Sequence, residues 1–319
     1  MKTGIALKID AQEDLNVNNA LMKVGIAIPT YNEKANLQLV IERLLKVFKN
    51  NRINGRIVVV DDNSADGTGE LADQFAKFHK SISVIHRSSK IGLGSAYKEA
   101  FQFLLKDPEV TVVMEMDADL SHEPEYIPIF LRRIEDGFDV VVGSRYVAEG
   151  GFDEEWAPMR ELISKSANFI TRLIVGLKVK DATSGFRAYD AIVLKSIDLS
   201  GVRTNGYAFQ IDMLFHCTKV GCEIAEVPII FRERKHGTSK LGSFAILEFI
   251  KMLENSFAGR LSNTFFNGVQ SVSAYIGNSL WIGIEPLRTA IRESNSRSPN
   301  SRGLAENNFG FSKDKVLPK

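Results

Sequence analysis

Five β-branched apolar segments are separated by four amphipathic ones between residues 24 and 146, and this alternation constrains the fold more than any other feature of the chain. The strand patterns cover residues 24–30, 56–62, 82–87, 110–119 and 138–146, and the helical patterns cover 36–50, 68–78, 92–105 and 124–136. Alternation of this kind predicts an α/β fold in which a mostly parallel central sheet is covered by helices on both faces.

Beyond residue 146 the pattern is less regular. Helical patterns cover residues 160–177, 207–221 and 243–257, a strand pattern covers 223–234, and 181–194 has the character of a loop that leads into a helix. Because no Gly-, Pro- or Ser-rich linker separates the two halves, we expect one domain over residues 24–257. A polar extension at 1–23 precedes it, and a tail at 258–319 follows it.

The sequence contains no ordinary membrane or secretory segment. Its N-terminus lacks the continuous apolar region of a signal peptide, and no stretch reaches the roughly 18 apolar residues of a transmembrane helix. Residues 261–284 carry no charge but contain Asn, Gln, Ser and Gly, so they suit either an interfacial segment or a loosely packed helix or disordered tail. Cys217 and Cys222 lack further zinc ligands nearby and are expected to be reduced, as in a cytoplasmic protein.

Polar clusters follow three of the predicted strands, with the sequences "PTYNE", "VDDNSADG" and "MDAD". In open α/β sheets, ligands bind beyond the carboxyl ends of the strands, where the strand order reverses. The three clusters therefore predict a ligand-binding crevice at one edge of the sheet.

The "MDAD" cluster contains Asp117 and Asp119, one residue apart. One interpretation is a turn in which aspartate side chains accept hydrogen bonds from backbone amides. The other is a site for Mg²⁺ or Mn²⁺, which take oxygen ligands and share them with phosphate groups. In an extended strand the two side chains point to opposite sides, so they can bind one ion only if the chain bends there.

Other residues at this edge also have two interpretations. Asp61 and Asp62 are suited either to turns or to hydrogen bonds with a nucleotide base or ribose. Lys90 and Gly92 precede a helix, where they either bind phosphate or form an ordinary cap. Arg145 directly follows the buried strand "VVVGS", which distinguishes it from an arginine on a solvated face.

Seven motifs together resemble those of family 2 glycosyltransferases, and more narrowly those of dolichyl- or polyprenyl-phosphate mannose synthases. In chain order they are "IPTYNEKANL", "VVVDDNSADGT", "IGLGSAY", "MDADLSHEP", "VVGSRYV", "TSGFRAY" and "FRERKHGTSK". The resemblance covers about residues 24–257 and is closest to the bacterial polyprenol monophosphomannose synthases. It implies a GT-A (Rossmann-like) fold, a GDP-mannose donor and a polyprenyl phosphate acceptor.

The resemblance also implies roles for particular residues. It assigns the nucleotide to Pro29, Tyr31 and Glu33, together with Asp61 or Asp62. It makes Asp117 and Asp119 the metal-binding pair for Mg²⁺ or Mn²⁺. Some relatives have Gln at the position of Ser121, and a shorter, neutral serine leaves a third direct contact with the metal open.

The expected chemistry needs cations more than a general base. A phosphate monoester has a second pKa of about 6, so a lipid phosphate is already an anion at neutral pH. The enzyme must then bring two donor phosphates and one acceptor phosphate together, which requires positive charge. The candidates are Arg145, Arg160, Arg234 and Lys240. Attack from the opposite face of the sugar would invert the anomeric centre and yield a β-linked mannosyl phosphate.

A lipid acceptor implies peripheral contact with the cytoplasmic face of a membrane, either directly or through a membrane-anchoring partner protein. A net charge of +1 gives no reason to expect a nucleic-acid partner. Three alternatives remain open from the residues. They are a glucosyltransferase that uses UDP-glucose, a non-catalytic nucleotide-binding subunit, and a phospho-acceptor receiver domain suggested by "VVVDD".

Overall fold

A seven-stranded sheet forms the centre of the computed structural model, which describes residues 22–153, 158–206 and 208–233. Its strands are β1 (Lys23–Thr30), β2 (Asn54–Asp61), β3 (Ile82–His86), β4 (Val110–Glu115), β5 (Val140–Ser144), β7 (Arg187–Asp190) and β8 (Ile224–Pro228). A second sheet pairs β6 (Gly151–Phe152) with β9 (Ile230–Phe231). The described residues all belong to one compact unit.

Helices cover both faces of the large sheet. They are α1 (Lys34–Asn50), α2 (Thr68–Phe78), α3 (Leu93–Leu104), α4 (Ile127–Glu135), α5 (Pro158–Val175), α6 (Ala191–Ser196) and α7 (Ala208–Lys219), and a 3₁₀ turn (Pro124–Tyr126) precedes α4. Ile26 and Ile28 of β1 belong to the same buried cluster as Leu37 and Ile41 of α1. The opposite face of β1 meets α3, where Gly25 leaves room for the side chain of Leu104. The predicted α/β architecture is confirmed.

The strand order β3-β2-β1-β4-β7-β5-β8 creates a switch point between β1 and β4. From β1 the chain proceeds outward through β2 to β3, and it then returns to place β4 on the other side of β1. Both β2 and β4 run parallel to β1, so the carboxyl ends of β1 and β4 lie side by side. A crevice at this point is where such sheets bind ligands.

The prediction of a loop over 181–194 was wrong in part, because residues 187–190 form strand β7. This strand lies antiparallel between β4 and β5. The strand predicted over 223–234 divides at Ile229, whose amide donates to the carbonyl oxygen of Ser144, so that β8 and β9 belong to different sheets. The strand predicted over 110–119 ends at Glu115, which leaves the two aspartates of "MDAD" beyond it.

None of the described helices combines the length and apolarity needed to cross a bilayer. The amphipathic helix predicted over 243–257 and the tail over 258–319 lie outside the described residues, as does the extension up to residue 21.

Strand β7 brings a charged group into the sheet opposite Glu115, which is fully buried. The hydroxyl of Tyr189 donates to Glu115 Oε1 at 2.9 Å, and Nε of Arg187 lies 3.5 Å from the same oxygen. Burial raises the pKa of Glu115 from 4.5 to about 7, although the positive charge of Arg187 acts in the opposite direction. The folded protein therefore holds a proton on Glu115 that the unfolded chain releases at lower pH.

This shift predicts a pH-dependent loss of stability. The contribution of Glu115 to stability is fully present below pH 4.5. It is lost as the pH rises from there through about 7, because in that range the carboxyl ionises in the unfolded chain but keeps its proton in the folded protein. Glutamine cannot ionise. The free energy of unfolding of wild type should therefore fall relative to that of Glu115→Gln between about pH 4.5 and about pH 7, as measured by urea denaturation.

The matched substitution Glu70→Gln, on the exposed surface of α2, should leave the pH dependence of wild type unchanged. Parallel pH curves for wild type and Glu115→Gln would contradict the assignment of a raised pKa to this carboxyl.

Candidate functional site

The crevice between β1 and β4 contains the Asp117 carboxylate, two residues beyond the end of β4. The hydroxyl of Tyr97, on α3, donates to Asp117 Oδ1 at 3.1 Å. The backbone amide of Asp117 donates to Nδ1 of His122 at 3.2 Å, and the imidazole of His122 stacks on Phe186. Two side chains therefore orient this residue, and one of them, His122, supports it from a buried position.

Asp119 is buried and bonded to its own turn. Its Oδ1 accepts hydrogen bonds from the amide of Ser121, at 3.0 Å, and from the Ser121 hydroxyl. The intervening Leu120 has a φ of 66°, a left-handed conformation that reverses the chain direction. The chain thus bends at the strand end, as binding of one ion by both carboxylates would require.

The donor set at this turn fits a hard divalent cation. Asp117 and Asp119 supply carboxylate oxygens, which Mg²⁺ and Mn²⁺ prefer. Within the described ranges, no group of three or more His, Cys, Asp or Glu side chains is arranged to hold a metal. An ion bound here would therefore take most of its ligands from phosphate oxygens and water. The hydroxyl of Ser121 already donates to Asp119, so its role as a ligand remains a prediction.

Two of the predicted nucleotide-binding residues are in contact. Lys90 Nζ lies 4.1 Å from the ring centroid of Tyr31. This contact joins the loop after β1 to the loop before α3. Glu33 occupies the N-cap position of α1, and its amide donates to the Thr68 hydroxyl at 2.9 Å. Pro29 lies in β1 beside Val60 of β2. These residues line the same edge of the sheet as Asp117.

Asp61 and Asp62 are both buried and engaged within the protein. Asp61 accepts from the Ser64 hydroxyl at 2.6 Å, which is the turn chemistry expected as one alternative. Asp62 is paired with Arg87 at 2.7 Å, and burial raises the pKa of Asp62 although Arg87 lowers it. Arg87 also donates to the Ser95 hydroxyl at 2.7 Å, so it links β3 to the start of α3. Sequence reasoning missed this arginine.

Gly92 occupies the N-cap of α3 with a φ of 124°, which favours glycine. A Cβ atom there would lie 2.8 Å from the carbonyl oxygen of Asn205, and the amide of Gly94 donates to that oxygen at 2.8 Å. Close packing against Asn205 therefore explains Gly92, and close packing against Thr204 and Phe209 explains Gly94. Binding of phosphate by Gly92 remains a prediction.

Arg145, directly after β5, forms a buried ion pair with Asp181. Its Nε and Nη2 donate to the two carboxylate oxygens of Asp181, each at 2.7 Å, and Nη2 also donates to the Thr183 hydroxyl at 2.7 Å. Burial opposes the ionisation of both groups, yet the facing charges raise the pKa of Arg145 and lower the pKa of Asp181. The charge of Asp117 also raises the pKa of Arg145.

Three aromatic rings surround the Arg145 guanidinium. Its Cζ lies 5.2 Å from the ring centroid of Tyr146, 5.3 Å from that of Phe231 and 5.7 Å from that of Phe152. Phe152 and Phe231 come from the small β6–β9 sheet, which therefore encloses the arginine. Cation–π contacts of this kind hold a guanidinium in place while leaving it charged.

A cleft of about 330 Å³ opens beside Arg145. It is lined by Arg145, Tyr146, Val147, Gly150, Lys165, Asn168, Phe169, Arg172 and Lys180. Four of these residues are basic, and none of the described residues that line the cleft is acidic. The cleft is therefore suited to an anion.

The other predicted cations are not placed in this cleft. Arg160 lies in the first turn of α5, but its side chain is not described, and Arg234 and Lys240 lie outside the described residues. Sequence reasoning missed Lys165 and Arg172, which are seven residues apart and so lie on one side of α5. That spacing was the available signal.

Comparison with known proteins identifies the family. The model of "Glycosyl transferase family 2" matches residues 25–198, more than half of the chain. The chain belongs to glycosyl transferase family 2. The resemblance that its motifs suggested is confirmed.

Two curated relatives of this family 2 glycosyltransferase are similar over most of their length. The chain is 41% identical over 253 residues to a polyprenol monophosphomannose synthase of Mycolicibacterium smegmatis. The matched residues make up 79% of this chain and 93% of the relative. The chain is also 41% identical over 229 residues to an undecaprenyl-phosphate mannosyltransferase of Micrococcus luteus. The matched residues make up 72% of this chain and 91% of the relative.

Solved structures support the GT-A fold of this family 2 member. Glucosyl-3-phosphoglycerate synthase from Mycobacterium tuberculosis, in complex with phosphoglyceric acid, superposes with a TM-score of 0.54 at 19% identity, over 75% of this chain and 81% of that one. A structure of the same enzyme with Mg²⁺ and uridine diphosphate superposes with a TM-score of 0.53 at 18% identity, over 75% and 81%.

The buried pair in this glycosyltransferase leads to a prediction on stability. Arg145→Met leaves the Asp181 carboxylate buried without its counter-charge, and removal of one partner from such a pair typically costs about 3–5 kcal/mol. The double variant Arg145→Met/Asp181→Asn should recover more than half of that loss. Urea unfolding of both variants gives the two free energies.

The exposed pair between Arg133 and Asp136 provides the matched control, since Arg133→Met should cost less than about 1 kcal/mol. Equal losses for Arg133→Met and Arg145→Met would argue against a buried pair at Arg145.

Proposed function

We propose that this protein transfers mannose from GDP-mannose to a polyprenyl phosphate, with inversion at the anomeric carbon. The observation that carries the proposal is the basic cleft beside Arg145, which follows β5 at the same edge of the sheet at which Asp117 follows β4. A family 2 glycosyltransferase whose acceptor is an anion needs such a cleft. The two relatives with 41% identity, both named for mannosyl transfer to a polyprenyl phosphate or for the product of that transfer, support the choice of substrates.

The acceptor requires positioning rather than deprotonation. With a second pKa of about 6, its phosphate is a dianion for much of the time at neutral pH. A phosphate oxygen attacks the anomeric carbon, the bond from that carbon to the donor's diphosphate breaks, and the nucleoside diphosphate leaves with the electron pair. No proton has to be removed from the attacking oxygen, so no side chain is assigned as a general base.

Arg145 alone cannot balance the negative charge of the acceptor phosphate, so other basic residues must contribute. Asp181 already neutralises Arg145 at 2.7 Å, so the pair contributes little net charge. Lys165, Arg172 and Lys180 line the same cleft and add positive charge to it, although Glu161 pairs with Lys165 on the surface, where solvent weakens such a pair. In this proposal Arg145 supplies directed N–H groups and the other three supply most of the electrostatic attraction. Arg160, Arg234 and Lys240 remain proposed contributors.

Asp117 and Asp119 would hold a Mg²⁺ or Mn²⁺ ion, which, when bound, neutralises the charge that develops on the leaving diphosphate. Tyr97 and His122 hold Asp117 in the crevice, and the Ser121 amide holds Asp119. The orientation of both carboxylates is thereby fixed before any substrate binds.

The nucleotide is assigned to the edge of the sheet formed by β1, β2 and the start of α3. Tyr31 and Lys90 offer a ring and a cation in direct contact, suited to a base or a phosphate. The remaining assigned residues are Pro29, Glu33, Asp61, Asp62 and Gly92. The proposal includes a peripheral position at the cytoplasmic face of a membrane, because the donor is water-soluble and the acceptor carries a polyprenyl chain.

Replacement of Asp119 by Asn should reduce transfer by roughly a hundredfold or more, because one charge that holds the ion is removed. The measurement is the passage of radiolabelled mannose from GDP-mannose into organic-extractable polyprenyl phosphate, with Mg²⁺ or Mn²⁺ present. Asp136→Asn, on the exposed end of α4, is the matched control and should transfer at the wild-type rate.

A near-normal rate for Asp119→Asn would defeat the metal assignment. A parallel assay with UDP-glucose tests the donor: transfer of glucose without transfer of mannose would replace GDP-mannose in the proposal.

The double variant Lys165→Gln/Arg172→Gln should raise the KM for polyprenyl phosphate about tenfold or more, because two charges that line the cleft are lost. The KM for GDP-mannose should stay within about twofold. Steady-state kinetics with each substrate varied in turn gives both values. Lys195→Gln, at the exposed end of α6, is the control. An increase confined to the KM for the donor would assign the cleft to the nucleotide instead.

A further inference from the structure

Helix α5 carries six large apolar side chains that are between 47% and 72% exposed. They are Met159, Leu162, Ile163, Phe169, Ile170 and Leu173, which we call the α5 apolar face. The described residues contain eleven exposed large apolar side chains, and more than half of them are on this one helix. Exposed apolar side chains that are scattered singly are normal, but a contiguous set marks a surface that contacts an apolar partner.

The polarity of α5 is the reverse of that of an ordinary surface helix. The spacing of the α5 apolar face, at three, four and seven residues, places its members on one side of the helix. The opposite side carries Asn168 and Thr171, both buried. Asn168 Oδ1 accepts from the amide of Ala182 at 2.9 Å, and Asn168 Nδ2 donates to the carbonyl oxygen of Lys180. The helix thus turns its polar side to the protein and its apolar side outward.

The charges around the α5 apolar face are mostly positive. Residues 158–180 contain five basic residues and one acidic residue, Glu161, which is paired with Lys165 on the surface. Lys165 is exposed on α5, Lys178 and Lys180 are exposed just after it, and Arg172 is partly exposed. An apolar face beside Lys and Arg residues is the pattern of helices that lie in the interface of an anionic bilayer.

The α5 apolar face is continuous with the basic cleft. Phe169 belongs to the face and also lines the cleft, and Lys165 and Arg172 line the cleft from the same helix. A surface that contacts hydrocarbon therefore borders a cleft that is suited to phosphate. This continuity favours a lipid surface over a protein partner.

We propose that α5 is the membrane-docking element of this protein, and that the α5 apolar face lies at the boundary between headgroups and acyl chains of an anionic bilayer. The lipid acceptor of the proposed function gives the docking its purpose, but the polarity and charge of α5 support the docking independently. The occupant is a bilayer surface and not a second copy of the chain.

Flotation of the full chain with vesicles tests the proposal. The vesicles contain phosphatidylglycerol and phosphatidylcholine without any polyprenyl phosphate, so that acceptor binding does not contribute. The triple variant Leu162→Gln/Ile170→Gln/Leu173→Gln replaces half of the α5 apolar face by glutamine, a residue that favours helices. It should lower the vesicle–water partition coefficient of the protein roughly tenfold or more. Vesicles of phosphatidylcholine alone should also bind wild type more weakly.

The control triple variant changes exposed apolar residues elsewhere: Leu39→Gln/Phe78→Gln/Ile192→Gln. It should float like wild type. Circular dichroism and thermal unfolding must show that both triple variants fold. Equal flotation of a folded α5 variant and wild type overturns the proposal, and so does a loss of self-association without a loss of flotation, measured by light scattering, which would make the face an interface between copies.

A second assay separates this proposal from the proposed function. Mannosyl transfer to a short-chain, water-soluble isoprenyl phosphate needs no membrane, so the α5 triple variant should retain the wild-type rate on it and lose at least tenfold on polyprenyl phosphate in vesicles. Equal losses on both acceptors would overturn the docking role. Absence of transfer by wild type on either acceptor would defeat the proposed function while leaving the flotation result intact.

Discussion

The buried ion pair between Arg145 and Asp181 is the interaction on which the cationic side of the site depends. Arg145 directly follows β5 and Asp181 belongs to the segment before β7, so two distant parts of the chain meet through two 2.7 Å contacts. Since each charge cancels the other, the pair fixes geometry and supplies little net charge. A buried, neutralised pair cannot attract an anion by itself. The attraction therefore has to come from the partly solvated basic residues around the pair.

Strand β7 explains why this pair lies next to the acidic turn. Because β7 is antiparallel between β4 and β5, the segment that enters it passes the carboxyl ends of both neighbours. Gly185 in that segment lies so close to Asp117 that an added Cβ would be 3.6 Å from its Oδ2. One short strand therefore determines how far the turn with Asp117 and Asp119 lies from the guanidinium. Its anchor within the sheet is Glu115, with Arg187 and Tyr189.

The parts of the fold that were predictable are those whose buried faces repeat locally. β1 to β5 appear in the sequence as short continuous apolar runs, and α1 to α4 appear as helical apolar periods, so both signals lie in adjacent residues. A bend between Asp117 and Asp119 was expected at a strand end, although β4 itself ends at Glu115. β7 has four residues, two of them charged, and it is held by a carboxylate 72 positions away from Arg187, so no local period reveals it. The partner of Arg145, 36 positions distant, was equally invisible.

The cleft and the docking helix share this dependence on tertiary contacts. α5 has a regular apolar period, but the period alone predicts burial against the protein, and only the positions of Asn168 and Thr171 show that the polar side faces inward. Asn168 bonds to the backbone of residues 180 and 182, on either side of Asp181. A bilayer that orients α5 would therefore also act, through two hydrogen bonds, on the segment that holds Arg145. It would at the same time turn Lys165 and Arg172 toward the surface from which a lipid phosphate must enter.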